Sequence, residues 1–314
     1  MMKMTDHTIG IDISKARLDV FDSKRQEVRS FNNTEAWFRE LSKWLVSYPP
    51  TRVVYEPTGP YHRNFEEHFC GKWPLVKVNP LQARRFSEAC GTRAKTDALD
   101  ARGLARMGAV LELEPDVPVS KTTRVLKDLQ LARTALVKDR TRLRNRSHIQ
   151  SNKVLQRQTK ARLDLVEKQV DQLDAEISKL IETDKTTARR RDILRSIPGL
   201  GPVASAAILT FLPEIGTLDR RQVGSLAGVV PHTRQSGQWK GKAFISGGRK
   251  PLRDALYMPA LVAMRFNPDL KKKYQTLRDA GKPAKVAIVA IMRKLIETAN
   301  ALVKENRFWV EKGA

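Results

Sequence analysis

The sequence predicts an α/β domain, then a long helical segment, then a mainly α C-terminal domain. Three observations lead there. Short apolar runs of strand length recur as far as residue 78. Residues 121–191 contain neither glycine nor proline and are rich in Leu, Lys, Arg, Glu and Gln. Beyond 192, apolar residues return mostly at helical spacing. The expected boundaries are 1–110, 111–191 and 192–314.

Residues 8–13 (T-I-G-I-D-I) and 17–22 (R-L-D-V-F-D) read as strands joined by a tight link through Ser14, Lys15 and Ala16. Residues 27–31 make a third strand. Asn32, Asn33 and Thr34 offer N-caps for a helix over 35–47, with Trp37, Phe38, Leu41, Trp44 and Leu45 at helical spacing, and Pro49–Pro50 end it. Residues 52–55 form a strand that delivers Glu56, and Pro57-Thr58-Gly59 turns the chain into a helix near 61–70. A strand over 75–78 and helices over 80–89 and 96–110 complete the domain, with Thr96 as the expected N-cap of the last. The order β-β-β-α-β-α-β-α resembles the RNase H-like fold, whose mixed sheet carries acids at strand ends and on its last helix.

Residues 111–119, with two prolines, read as a linker. Within 121–191, Leu163, Val166, Val170, Leu173, Ile177 and Leu180 alternate spacings of three and four. That is the seam of a coiled coil or helical hairpin, and it leaves an intramolecular hairpin and a dimerisation arm both open. Ile197-Pro198-Gly199-Leu200-Gly201 joins two helices in the manner of a helix-hairpin-helix, whose glycines allow N–H groups to approach a phosphate. A short helix over 219–227 precedes a glycine-rich basic hairpin or loop over 227–251, and helices resume at 251–265, 268–280 and 283–304.

Charge narrows the partner. The 314 residues include 58 Lys+Arg against 34 Asp+Glu, a formal net charge of +24. The excess grows along the chain: +5 over 1–110, +7 over 111–195 and +12 over 196–314. A polyanion, nucleic acid above all, is the expected partner. Between 138 and 162 nine basic residues face one acid, Asp139, so few i, i+4 pairs can relieve their repulsion. Lys138, Arg140, Arg142, Arg144 and Arg146 are therefore expected on phosphates. So are Gly199 and Gly201 of the helical junction, and Arg234, Lys240, Lys242, Arg249 and Lys250 of the glycine-rich segment. Two cysteines, Cys70 and Cys90, exclude a disulfide framework and fit a reducing cytosol. The start M-M-K-M-T-D-H reads as too short and polar for a signal peptide, no run reaches membrane-span length, and the chain is expected in the cytoplasm. The five histidines show no metal-ligand spacing, and most are expected at the surface.

Four acids carry the chemistry. Asp12 and Glu56 end strands, and Asp97 and Asp100 stand three apart on a helix, so both carboxylates project to one side. Carboxylates that converge repel one another unless a cation holds them, and hard oxygen ligands suit Mg²⁺ or Mn²⁺. Lys15, Arg93 and Lys95 are possible phosphate contacts beside them, and Thr58 a support for the loop holding Glu56.

Asp12, Glu56, the K-T-D-A-L-D of 95–100, I-P-G-L-G, and a Ser-Gly loop ahead of L-R-D-A-L-Y-M-P-A (252–260) stand in one order. In that order the chain resembles the DEDD-type transposases of bacterial insertion sequences, the IS one-ten family with its eleven-eleven subgroup, related to the Piv invertase. The resemblance implies a RuvC-like catalytic domain, a coiled coil and a C-terminal transposase domain with a nucleophilic serine. Ser236 best matches that serine, and Ser246 is the fallback. It also implies a metal-binding DEDD set, DNA as substrate, a guide RNA encoded by the element, and a working dimer or tetramer in which acids and serine come from different subunits. Two other readings stay open on the residues themselves: a two-metal, structure-selective nuclease in which Ser236 is structural, and a non-catalytic nucleic-acid scaffold.

Overall fold

A computed structural model describes residues 7–91, 97–116, 120–237 and 239–311, with the backbone alone at Asp97 and Lys240. The chain divides into two compact units, Met1–Val119 and Ser120–Ala314. The helical segment expected to stand apart thus belongs with the C-terminal unit.

The first unit is built from β1 (Thr8–Ile13), β2 (Arg17–Asp22), β3 (Glu27–Asn32), α1 (Glu35–Val46), β4 (Arg52–Tyr55), α2 (Arg63–Phe69), β5 (Leu75–Lys77), α3 (Pro80–Ala89) and α4 (Asp97–Val110). Its sheet runs β3-β2-β1-β4-β5. β1, β2 and β3 are antiparallel neighbours, while β4 lies parallel to β1 and β5 parallel to β4. This is the mixed sheet the element order predicts. Period-two alternation divides it into two faces. Ile9, Ile11, Ile13, Leu18, Val20, Val53 and Tyr55 pack on Phe38 and Leu41 of α1 and on Phe65 and Phe69 of α2. On the other face Val54 and Val76 meet Leu104 and Met107, and Phe21 meets Ala101 and Ala105, all four from α4. His7 is not among the surface histidines but buried: its Nε2 lies 2.8 Å from Asp22 Oδ1 and its Nδ1 3.3 Å from the Pro49 carbonyl. A polar pair closes the end of the sheet where β1 starts and β2 stops, which a lone histidine in the sequence does not announce.

In the second unit the glycine-free stretch is three helices: α5 (Lys121–Ile149), α6 (Lys153–Thr183) and α7 (Lys185–Ser196). The breaks fall where side chains cap the next helix. Asn152 Oδ1 accepts from Val154 N at 2.9 Å, and Asp184 Oδ2 accepts from Thr187 N at 3.0 Å. α5 and α6 fold back on one another within the chain. Val170 and Ile177 of the predicted seam are buried, and Arg133–Asp174 and Arg144–Glu167 ion pairs cross between the helices. The hairpin's root, Leu126, Ile177 and Ile181, joins the core formed with α8 (Pro202–Phe211), α9 (Arg220–Leu226), α10 (Lys250–Phe266), α11 (Pro268–Asp279) and α12 (Ala284–Lys304). Between α9 and α10 lie two short ladders. β6 (Pro231–His232) pairs with β9 (Phe244–Ile245), and β7 (Gln235–Ser236) pairs with β8 (Trp239–Lys240). Among the described residues no helix is long and apolar enough to cross a membrane.

Candidate active site

The site starts from a missing side chain. A Cβ on Gly10 would lie 2.6 Å from Ala105 N and closer still to the Ala101 carbonyl oxygen, so α4 crosses β1 in direct backbone contact. Further along, Gly108 sits over Thr8 and Arg52, and Arg52 Nη1 donates to the Gly108 carbonyl at 2.9 Å. α4 therefore runs antiparallel to β1. Going back from Ala101 to Asp97 covers about 6 Å of helix, and going on from Gly10 to Asp12 covers about 6.6 Å of strand. The first turn of α4 thus stands level with the C-terminal end of β1.

Asp12 shares Gly10's face by alternation, the face that α4 covers, while Ile11 and Ile13 point into the opposite core. Glu56 follows β4 directly. Since Ile11 pairs with Tyr55 in parallel register, Glu56 comes out beside Asp12. On α4, Asp100 is one turn before buried Leu104, and Asp97 one turn before buried Ala101. Asp12, Glu56 and Asp100 are half-buried. The fold brings the C-terminal ends of β1 and β4 and the start of α4 to one end of the sheet. Among the described residues no group of three or more His, Cys, Asp or Glu is drawn close enough to hold an ion. The Asp97 side chain, with Arg93, Lys95 and Thr96, lies outside the described residues. The described acids carried here, Asp12, Glu56 and Asp100, offer only carboxylate oxygens, the donor type of Mg²⁺ and Mn²⁺ sites.

Two neighbours escaped the sequence reading. Asp19 stands opposite Asp12 in the β1–β2 register and is 5% exposed. Its carboxylate accepts from Arg17 Nε at 3.1 Å and from the Ser30 hydroxyl. An acid flanked by buried Leu18 and Val20 inside a strand was the signal available. Behind Glu56, on the other face, Tyr55 Oη donates to Glu66, which also pairs with Lys77 and lies 3.6 Å from His62 Nε2. Burial, then the Glu66 carboxylate, pushes the Tyr55 hydroxyl far above its usual range. Burial pulls His62 below its ordinary value, against the pull of Glu66. This network anchors the strand end that presents Glu56. Lys15 and Thr58 are both exposed.

In the second unit Ser236 is exposed on β7, and Gly237, at φ +56°, turns the chain straight after it. Ser246 is also exposed, but it opens a packed turn. Gly247 and Gly248 both have positive φ, Gly248 lies against Gly228, and Arg253 Nη1 donates to the Gly247 carbonyl at 2.7 Å.

Comparison with known proteins bears on both units. A profile of DEDD-type IS110 transposases matches residues 9–157. A profile described as the transposase IS116/IS110/IS902 family matches residues 191–275. The pilin gene-inverting protein of Moraxella bovis is 30% identical over 320 residues, covering 97% of this chain and 98% of that protein. The chain belongs to the IS110 family of transposases and recombinases. Its counterpart from Moraxella lacunata is likewise 30% identical. An IS110 element protein of Streptomyces coelicolor is 29% identical over 150 residues, 47% of this chain and 36% of that protein. An enzyme of this family recombines DNA.

The basic residues of this IS110-family chain divide on inspection. Lys138 and Arg146 are exposed on α5, and Arg140 is half-buried. Arg142 pairs with Asp139 at 3.2 Å and Arg144 with Glu167 at 2.7 Å, so acids the charge count treated as scarce do reach two of the four arginines. Arg249 grips Glu214 with both terminal nitrogens at 2.7 Å and the Phe211 carbonyl at 2.9 Å. Burial would raise Glu214, but bonding to Arg249 holds it below the usual carboxylate value. Lys250 pairs with Asp254. Arg234 lies over the Phe244 ring at 4.6 Å, and Lys242 is exposed. Gly199, at φ +107°, presses against Ala263, whose Cβ would be 2.6 Å from an added methyl, so packing on α10 explains this glycine. Gly201, at the N-terminus of α8, faces open space.

Proposed function

We propose that this chain cuts and rejoins DNA strands through Ser236, assisted by the carboxylates Asp12, Glu56, Asp97 and Asp100, and that a guide RNA encoded by its element directs it. The docking of α4 across Gly10, which brings the C-terminal ends of β1 and β4 and the first turn of α4 to one end of the sheet, carries the reading. These four carboxylates would hold Mg²⁺ or Mn²⁺. A divalent ion bound there supplies positive charge to a phosphodiester in a place where four acids alone would repel it. The geometry of that end and the all-oxygen donor set support that assignment.

The Ser236 hydroxyl gives its proton to a carboxylate of the set as Oγ bonds to phosphorus. The bond from phosphorus to one sugar oxygen breaks, and that oxygen leaves protonated. Attack by the hydroxyl of another strand reverses the sequence and frees the serine, so the phosphoester bond energy is kept for rejoining. Ser236 is favoured over Ser246 because it is presented at the tip of an exposed ladder, whereas Ser246 begins a turn packed on Gly228. A dimer or tetramer in which one subunit supplies the acids and another the serine belongs to the same proposal. The overall charge of +24, with Lys138, Arg140 and Arg146 on α5, gives surface for DNA and RNA together. In such a division of labour pairing reads sequence and protein grips backbone.

The test is the product. The full chain with its DNA and RNA should yield a protein–DNA adduct that survives denaturation and maps to Ser236, and Ser236→Ala should abolish both adduct and exchange. Cleavage retained by Ser236→Ala, with free ends and no adduct, would replace this reading by metal-dependent hydrolysis.

A further inference from the structure

We infer that a pocket between α12 and the β6–β9 ladder is a binding site for one unpaired nucleotide of a DNA or RNA strand. The pocket has a volume of about 610 Å³, within the range of about 300–1,000 Å³ usual for small-ligand sites. Its floor is apolar, made by Val229, Ile245, Val289 and Ala290, with the more exposed Phe244 and Val286 forming apolar walls. Its exposed lining, the rim, is cationic, made by Arg220, Lys273, Lys285, Arg293 and Lys294, and its single carboxylate, Glu297, is buried beneath them. All these residues belong to the second unit.

The rim is organised. Glu297 is only 7% exposed, and it accepts from Arg220 Nε at 2.8 Å and from Arg293 Nε at 2.7 Å. One buried carboxylate therefore orients two guanidiniums at the mouth while the Arg220 side chain stays mostly in solvent. The wall at Phe244 is organised too. Phe244 remains 38% exposed, and Arg234 lies across its ring, so a base added to the stack would extend an existing cation–aromatic pair. An apolar recess with an exposed aromatic, ringed by oriented cations, matches a nucleotide: the base enters and the flanking phosphates take the rim. A duplex offers no free base. An acidic helix would satisfy the rim, but it has no use for a ring stacked by arginine. The site rests on the family's DNA chemistry and not on Ser236, and β6 ends only a few residues before that serine. An unpaired nucleotide held here would keep a melted strand within the chain's reach of the serine loop.

The experiment uses the full chain and single-stranded DNA and RNA oligonucleotides, each intact, abasic at one central position, or carrying 2-aminopurine there. Anisotropy gives affinity, and 2-aminopurine emission reports unstacking. The wild type should bind the intact strand about ten-fold more tightly than the abasic one, the scale of one base stacked on an aromatic, with emission altered on binding. The tighter of the two polymers identifies the strand. Val289→Trp, which fills the floor, should erase the intact-versus-abasic difference and the emission change while leaving duplex affinity as it was. Should Val289→Trp fail to fold, Phe244→Leu, a change on an exposed ring, should remove the emission change at an unaltered melting temperature. Equal affinity for intact and abasic strands overturns the site. So does self-association, measured by sedimentation, that Val289→Trp abolishes, which would assign the pocket to a second copy. Neither readout involves strand cleavage, so failure here leaves the serine reading standing.

Discussion

Replacing Gly10 by alanine tests the docking of α4 with a single methyl group. The added carbon would meet Ala105 N at 2.6 Å and the Ala101 carbonyl more closely, inside the 3.0 Å that real Cβ atoms keep. Both obstacles are helix backbone, so no side chain can swing away. α4 must lift off β1 by about an ångström, and overpacking of this kind costs about 1–3 kcal/mol. The catalytic cost should be larger, because the first turn of α4 carries Asp97 and Asp100 and would move relative to Asp12. A misplacement of about 1 Å lowers rates on the order of a hundred-fold. Gly103→Ala is the matched control on the same helix. Its nearest neighbour is Ser87 Oγ at 3.3 Å, and alanine is favoured over glycine in a helix by about 1 kcal/mol. Denaturant unfolding and a strand-exchange assay on both variants give the comparison. Gly10→Ala with wild-type stability and wild-type exchange would refute the docking argument, whatever the control does.

Three further outcomes follow from the packing and the charges. Ile177→Ala, at 2% exposure, should destabilise by about 2–5 kcal/mol, and hydrogen exchange should show α8 and α12 loosening along with α6, because the hairpin root shares their core. Glu214→Gln should lose about 1 kcal/mol once the pair's partial exposure is discounted. Because the folded carboxyl lies below its unfolded value, that difference is full above the ordinary carboxylate range and closes as pH falls through the lowered folded value. A melting-temperature series against pH checks it, and a gap that widens in acid would contradict the sign. Arg146→Ala should reduce the slope of log affinity against log salt by about one, whereas an unchanged slope would remove Arg146 from the phosphate contacts.

Most strands and helices were legible because their apolar spacing is unambiguous. The strands at 8–13, 17–22 and 52–55 are confirmed residue for residue, and α1 differs by a residue at its end. The end of the sheet shared by Asp12, Glu56 and the start of α4 was also legible, since strand ends and helix spacing have directions that the sequence encodes. What the sequence hid were features set by partners distant in the chain. The helical stretch after 121 lacks glycine and proline, yet Asn152 and Asp184 break it by capping, which composition does not reveal. Asp19 gains its place beside Asp12 only through the β1–β2 register. Arg249 reads as a phosphate ligand until Glu214, 35 residues earlier, is found in its grip. Gly199 reads as a phosphate approach until Ala263 fills the space beside it.

Binding of Mn²⁺ to the isolated chain, followed by calorimetry and by the spin resonance of the free ion, tests most directly whether the carboxylates work together. The wild type should bind, Asp12→Ala and Asp100→Ala should each lose that binding while remaining folded, and Glu176→Ala, on exposed α6, should keep it. Unchanged binding in either strand-end or helix variant would mean that these acids, though carried to one end of the sheet, never act as one.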